Sequence, residues 1–395
     1  MTMFVSRRQA LAASSLLAIP TLVLGARRAG AQTATRPIQR VVDAAIKPVM
    51  EKYRVPGMAV AVTAHGERSF FYYGVASREN GKRVTENTVF EIGSLSKTFT
   101  AALGSLARAR GHLTLSDKAS KYLPSLAGSY FDDISLLDLA TFTAGGLPLQ
   151  FPDNVTDQDQ MIAYFKSWRP IFAPATHRLY SNPSIGLFGY LTAASMGASF
   201  DDLMAQNIFS ALDLTRTHLT VPRDQMDDYA YGYSKHDKPV RVHPGVLASE
   251  AYGIKTTATD MIRFIEANMG AALHDEQLQR AITATHTGYY SVGDMTQGLG
   301  WEMYAWPTPL SKLLGGNSAQ MAFDAHEVAR FMSPHSPAGD VLLNKTGSTN
   351  GFGAYAALLP KKRLGIAILA NRSFPNEDRI SAAYTILASL ADRAS

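Results

Sequence analysis

Residues 91–103 read EIGSLSKTFTAAL and place Ser94 and Lys97 three positions apart at the front of a segment with helical character. Residues three apart on a helix share a face, so this hydroxyl and this ammonium can touch, close to where first-turn N–H groups point outward. The helix N-terminus favours developing negative charge on the serine oxygen. A lysine buried near other cations loses enough basicity to take or relay a proton. Taken alone, the motif is weak, and a serine N-cap followed by a solvated lysine is the simpler reading of it.

Two further segments carry comparable chemistry. RLYSNPS, residues 178–184, sets Tyr180 and Asn182 two apart in a loop entering a helix. A phenol near two ammonium groups ionises more readily and can act as a general base, a role worth typically ~10²–10⁴-fold in rate. The asparagine offers a side-chain amide to a ligand amide. NKTGSTNGFGAY, residues 344–355, puts Lys345, Thr346 and Gly347 just before a strand, with Ser348 following. An edge strand that opens this way can lay its backbone against an extended substrate, while the lysine faces a carboxylate or a tyrosinate. Separately, these are also a tyrosine packed at a helix start, an N-cap and a turn with an exposed lysine.

The elements that must position these residues come from both ends of the chain. GMAVAVTA and SFFYYGVAS are strand-like runs joined through HGER, and FGAYAALLP and LGIAILANR are a second pair joined through KKR. The first pair follows an amphipathic helix, PIQRVVDAAIKPVMEKYRV, and the second precedes another, EDRISAAYTILASLADRA. One antiparallel sheet covered by both terminal helices combines them most economically. Between them lie helical patterns such as SKTFTAALGSLARARG, SIGLFGYLTAASMG and TATDMIRFIEANMG. The expected fold is therefore α+β, an antiparallel β-sheet flanked by N- and C-terminal helices with a mostly helical domain inserted. Residues 32–90 and 310–395 are expected to build the sheet domain and 91–309 the helical domain and loops, with a ligand cleft at the junction.

Composition narrows the function classes. The first 31 residues contain Arg7 and Arg8, an apolar run from Ala10 to Gly25, and small residues at Ala29 and Ala31, which is the pattern of an export signal cut near Ala31. SRRQALA fits the twin-arginine type. The run is too short, and too interrupted by Pro20, to serve as a membrane anchor. Four of the 38 basic residues lie in this leader and no acidic ones do, leaving 34 basic against 33 acidic in the mature chain. That near-neutral balance removes any charge-based case for nucleic acid or an anionic membrane. There are no cysteines, so neither a disulfide framework nor a thiolate nucleophile is available. The ten histidines form no H-x-H pair and no H-E-x-x-H, and no metal site is expected.

Three individually weak motifs gain specificity from their order: S-x-x-K, then Y-x-N, then K-T-G. With TAGGLPLQ and SEAYGIKTT, and essentially along the whole mature chain, the sequence resembles the class C serine β-lactamases, the periplasmic cephalosporinases. The resemblance implies Ser94 as the acylated nucleophile, Lys97 as its proton partner, Tyr180 as the base for acylation and for the deacylating water, and Lys345 as the group that steers the substrate carboxylate and biases Tyr180. It further implies an oxyanion hole from the backbone N–H groups of Ser94 and Ser348. Gln150 and Asn182 match the amide binders of the family, Tyr252 a wall of the pocket, and Thr346 and Asn376 groups near the substrate carboxylate. Ser373 and Asn344 depart from the commonest family residues, asparagine and histidine. The implied protein is a periplasmic monomer without cofactor that opens small-molecule β-lactams and so confers antibiotic resistance. A D-alanyl-D-alanine carboxypeptidase or an esterase of the same fold would share Ser94, Lys97 and Tyr180, a penicillin-recognising sensor could dispense with Tyr180, and a metal-dependent hydrolase would be chelator-sensitive.

Overall fold

The structure is a computed structural model that describes residues 26–335 and 339–392. The arginine pair and apolar run of the expected leader lie outside these residues. Residues 26–40 are helical, as the start of α1 (Ala26–Tyr53), and the compact body runs from Val41 onward.

The body is organised on a nine-stranded sheet in which every pairing is antiparallel. Its strands are β1 (Gly57–Ala64), β2 (Glu67–Gly74), β3 (Gly288–Val292), β4 (Met295–Gln297), β5 (Glu302–Ala305), β6 (Ala329–His335), β7 (Val341–Ser348), β8 (Gly353–Leu359) and β9 (Leu364–Ala370). They lie in the order β6-β3-β4-β5-β7-β8-β9-β1-β2. His65 and Gly66 close the β1–β2 hairpin at φ of 53° and 93°, the left-handed pair that a two-residue turn matched to strand twist requires. The β9–β1 pairing, from Met58 opposite Ala370 to Ala64 opposite Leu364, joins the two ends of the chain. β8 and β9 are buried at every residue and β1 at all but Ala64, which is why they read as continuous apolar runs rather than alternating ones.

On one face, Ala59, Ala61, Ala356 and Ala367 meet Phe99 and Leu103 of α2 (Ser96–Ala109) and Phe264 and Ile265 of α4 (Ala258–Asn268). The small side chains let the helices approach, and the Phe99 and Phe264 rings stack at 3.7 Å. α5 (Asn376–Ala391) packs on β8 and β9. A second core joins Ala101 and Ala107 of α2 to Ile185, Phe188 and Leu191 of α3 (Asn182–Met196). Thus α2 is buried on both flanks along most of its length. Each large apolar side chain so buried contributes roughly 1.5–3 kcal/mol, which fixes the start of α2 firmly in the interior.

One boundary differs from the expectation. The sheet takes three strands from 288–305, a region assigned above to the helical part. They are five, three and four residues long, broken by the turn at Gly293 and by residues 298–301, so each is too brief to give a periodic signal. They matter for the site, because β5 pairs with β7 and sets Glu302 opposite Asn344.

Candidate active site

Ser94 lies in a 3₁₀ turn, Gly93–Leu95, that runs straight into α2. Gly93 has φ +50°, and a Cβ there would stand 2.4 Å from the carbonyl oxygen of Ser348 and 2.6 Å from its nitrogen. A Cβ on Gly347 would stand 1.9 Å from the carbonyl oxygen of Ile92. Real Cβ atoms do not tolerate such contacts, so the two main chains are pressed together where only glycine fits. This contact brings Ser94 alongside Ser348.

Lys97 is fully buried in the first turn of α2. Its Nζ donates to Ser94 Oγ at 2.9 Å, to Asn182 Oδ1 at 2.6 Å and to the Ala251 carbonyl at 2.8 Å, three acceptors for three ammonium hydrogens. Burial lowers the lysine pKa to about 8, with Lys345 contributing and Tyr180 opposing.

Tyr180 sits between the short strand His177–Arg178 and α3, its ring tilted against Phe142 at 4.7 Å. Lys345 Nζ lies 4.9 Å and Lys97 Nζ 5.1 Å from the ring centroid, with the Arg178 guanidinium at 5.5 Å. The phenol oxygen is buried and makes no hydrogen bond of good geometry. Burial pushes the phenol up, but Lys345, Lys97 and the nearby Ser94 hydroxyl outweigh it against the opposing charge of Glu302, leaving Tyr180 below the ordinary tyrosine range.

Lys345, 2% exposed, lies 3.5 Å from Glu302, which also pairs with Arg178 at 3.1 Å. Burial lowers the Lys345 pKa, but Glu302 and Tyr180 more than compensate, so it stays firmly protonated. Arg178 is held further by Gln297 Oε1 at 2.8 Å. Three cations and one carboxylate therefore surround the phenol, and the cations make it ionise more readily than an ordinary tyrosine.

Ser94, Tyr180, Lys345, Thr346, Ser348 and Asn376 line a cleft of about 180 Å³. Asn182 is buried beside it, holding Lys97. Gln150 is exposed and outside the lining, which its neighbour Leu149 joins. Tyr252 is half-buried, also outside the lining, with its hydroxyl 3.4 Å from the Gly245 N–H. Asn344 is fully buried, donating to the Glu302 carbonyl at 2.9 Å, while Ser373 is exposed.

Sequence reasoning missed three charged residues. Arg178 and Glu302 form the buried pair behind Lys345 and Tyr180. Arg379 of α5 is buried beneath β7, donating to the Gly347 carbonyl at 2.7 Å, the Ala354 carbonyl at 3.2 Å and Ser348 Oγ at 3.0 Å, and burial lowers its pKa to about 10. A signal existed for Arg178, two residues before Tyr180 and so on the same side of an extended segment. Nothing marked Glu302. Among the described residues, no three His, Cys, Asp or Glu side chains gather closely enough to hold a metal ion.

Residues 42–391 match the β-lactamase family. The chain is 53% identical, over 89% of its length and 99% of the relative's, to a β-lactamase from Pseudomonas fluorescens. A class C β-lactamase solved in complex with cefoxitin is similar in structure with a TM-score of 0.88 at 45% identity, over 90% of this chain and 99% of that one. A D-alanine carboxypeptidase from Burkholderia cenocepacia gives a TM-score of 0.86 at 47% identity, over 90% and 99%. The chain belongs to the β-lactamase family, in its class C branch.

Proposed function

We propose that this protein hydrolyses the β-lactam ring of cephalosporins and penicillins through an ester on Ser94, and thereby confers antibiotic resistance. One observation carries the assignment of roles. Lys97 donates its hydrogen bond to Ser94 Oγ, which leaves the serine's own hydrogen for the buried, otherwise unpartnered oxygen of Tyr180. The Tyr180 phenolate takes that proton as Oγ attacks the lactam carbonyl, and the tetrahedral oxyanion forms against the N–H groups of Ser94 and Ser348. When the C–N bond breaks, the proton passes to the lactam nitrogen through the Tyr180 and Lys97 pair. Water then attacks the ester, giving a proton to the same phenolate, which passes it to Ser94 Oγ as the ester C–O bond breaks and the carboxylic acid product leaves. Lys345, Thr346 and Asn376 receive the substrate carboxylate. Asn182 addresses the side-chain amide beside the cleft, and Gln150 and Tyr252, which stand outside its lining, would meet only the part of a substrate side chain that extends past it.

The protein is further proposed to be exported to the periplasm, its leader cut near Ala31, and to act as a monomer without cofactor. The near-neutral mature charge suits a small-molecule substrate rather than nucleic acid or a membrane surface. Among the described residues, no helix is long and apolar enough to cross a membrane.

A second reading, D-alanine carboxypeptidase activity, is favoured by the similarity to the Burkholderia enzyme. Both are tested by turnover of a chromogenic cephalosporin and release of D-alanine from a D-alanyl-D-alanine peptide. Ser94→Ala is expected to abolish cephalosporin turnover, and Tyr180→Phe to cut it more than tenfold with the fold intact by circular dichroism. Undiminished turnover by Ser94→Ala refutes the mechanism, and a larger kcat/KM for the peptide than for the cephalosporin favours the second reading.

A further inference from the structure

We propose that Glu91 is a positioning residue for the oxyanion hole, holding the strand of Ser348 in register with the turn of Ser94. The inference rests on the proposed reading of those two N–H groups. Glu91 lies in the two-residue strand Phe90–Glu91, paired with Lys255 and Thr256, and is 2% exposed. Its Oε1 accepts from Tyr229 Oη at 2.6 Å and from the Val242 N–H at 2.7 Å, and its Oε2 accepts from Thr349 Oγ1 at 2.6 Å. Lys255 directs its ammonium elsewhere, to the Leu219 carbonyl at 2.7 Å. One buried carboxylate thus ties three other chain segments to the strand that leads, three residues on, into Ser94.

The bond to Thr349 bears most directly on the chemistry. Thr349 follows Ser348 and closes the β7–β8 turn with its N–H on the Phe352 carbonyl at 3.1 Å. The glycine contacts at Gly93 and Gly347 limit how closely the two main chains approach, but steric contact does not stop one sliding along the other. A directional bond to a charged acceptor does, and such bonds are roughly twice as strong as neutral ones. Register matters because an oxyanion donor acts only within about 2.7–3.1 Å of the oxygen it stabilises. A buried carboxylate without donors would be costly, so all three donors act together to hold it in place.

The test compares Glu91→Gln, Thr349→Val and Thr349→Ser with the full protein, using cefoxitin as the acylating probe. Kinetics are read beside the ester carbonyl stretch of the acyl-enzyme by rapid-mixing infrared spectroscopy. Oxyanion-hole hydrogen bonds polarise that carbonyl and lower its frequency. Glu91→Gln and Thr349→Val are expected to lower kcat at least tenfold with a smaller change in KM and to raise the carbonyl frequency. Thr349→Ser, which keeps the hydroxyl, is expected to restore both. Should Glu91→Gln fail to fold, Thr349→Val carries the test. A Thr349→Val acyl-enzyme on Ser94 with the wild-type carbonyl frequency overturns the inference while leaving the acyl-enzyme reading intact. Turnover surviving in Ser94→Ala overturns that reading instead.

Discussion

Replacing Lys345 by methionine removes a cation whose Nζ lies 4.9 Å from the Tyr180 ring centroid while keeping much of the side-chain volume. Taking that separation as the charge distance, Coulomb's law at an effective dielectric of about 20 gives ~3 kcal/mol of phenolate stabilisation. That corresponds to a loss on the order of 10²-fold in the ionised fraction at a given pH below the phenol's pKa. The removal also leaves Glu302 less neutralised, and because its charge already opposes ionisation of Tyr180, the two effects add. A base that works deprotonated loses activity as its pKa rises, so the acid limb of kcat/KM moves to higher pH. Glu302→Gln removes the opposing charge and moves the limb to lower pH. The assay is kcat/KM for a chromogenic cephalosporin across roughly pH 4–10 in both variants, beside ultraviolet titration of the tyrosinate. Losing a carboxylate contact weakens binding alike at every pH and leaves the limb where it was. If both acid limbs coincide with that of the wild type, Tyr180 is not a base governed by these two charges.

On the alkaline side, kcat/KM is expected to fall above about pH 8, where Lys97 loses the proton that supports the phenolate; a profile flat to pH 10 would remove Lys97 from the mechanism. Glu250, raised by burial and by the charge of Asp201 to about 7 against 4.5 unfolded, binds its proton more tightly when folded. Stability is therefore lost as pH rises from about 4.5 through 7, so Glu250→Gln should gain about 3 kcal/mol at pH 8 and almost nothing at pH 4, measured by guanidinium unfolding at each pH. An equal gain at both would contradict this. Gly93→Ala is expected to cost roughly 1–3 kcal/mol of stability and on the order of 10² in turnover, because both oxyanion donors shift; turnover like that of the wild type would show that the contact with Ser348 is loose.

Much of this was legible in the sequence because the local signals are short-ranged. Ser94 and Lys97 three residues apart do touch, at 2.9 Å, though Ser94 occupies a 3₁₀ turn rather than the α-helix proper. The terminal hairpins and helices announced the sheet through their long apolar runs. What stayed hidden depends on pairings between distant segments. Glu302 gains its meaning only when β5 pairs with β7 and faces it toward Lys345, and the strands that achieve this are three to five residues long. Arg379 reads as one more charge on an amphipathic helix, yet the fold turns it inward under β7, where main-chain carbonyls and the Ser348 hydroxyl replace water. Spacing also could not say that Gln150 and Tyr252 stand outside the lining of the cleft.

The central claim is that the Ser94 hydroxyl becomes an ester during turnover. Acid quenching of the wild-type protein during steady-state hydrolysis of a cephalosporin, followed by peptide mass mapping, tests it most directly. The expected result is a substrate-derived mass increase on the peptide bearing Ser94, present while substrate remains and gone once it is consumed. No adduct during active turnover, or an adduct on another residue, would contradict the account.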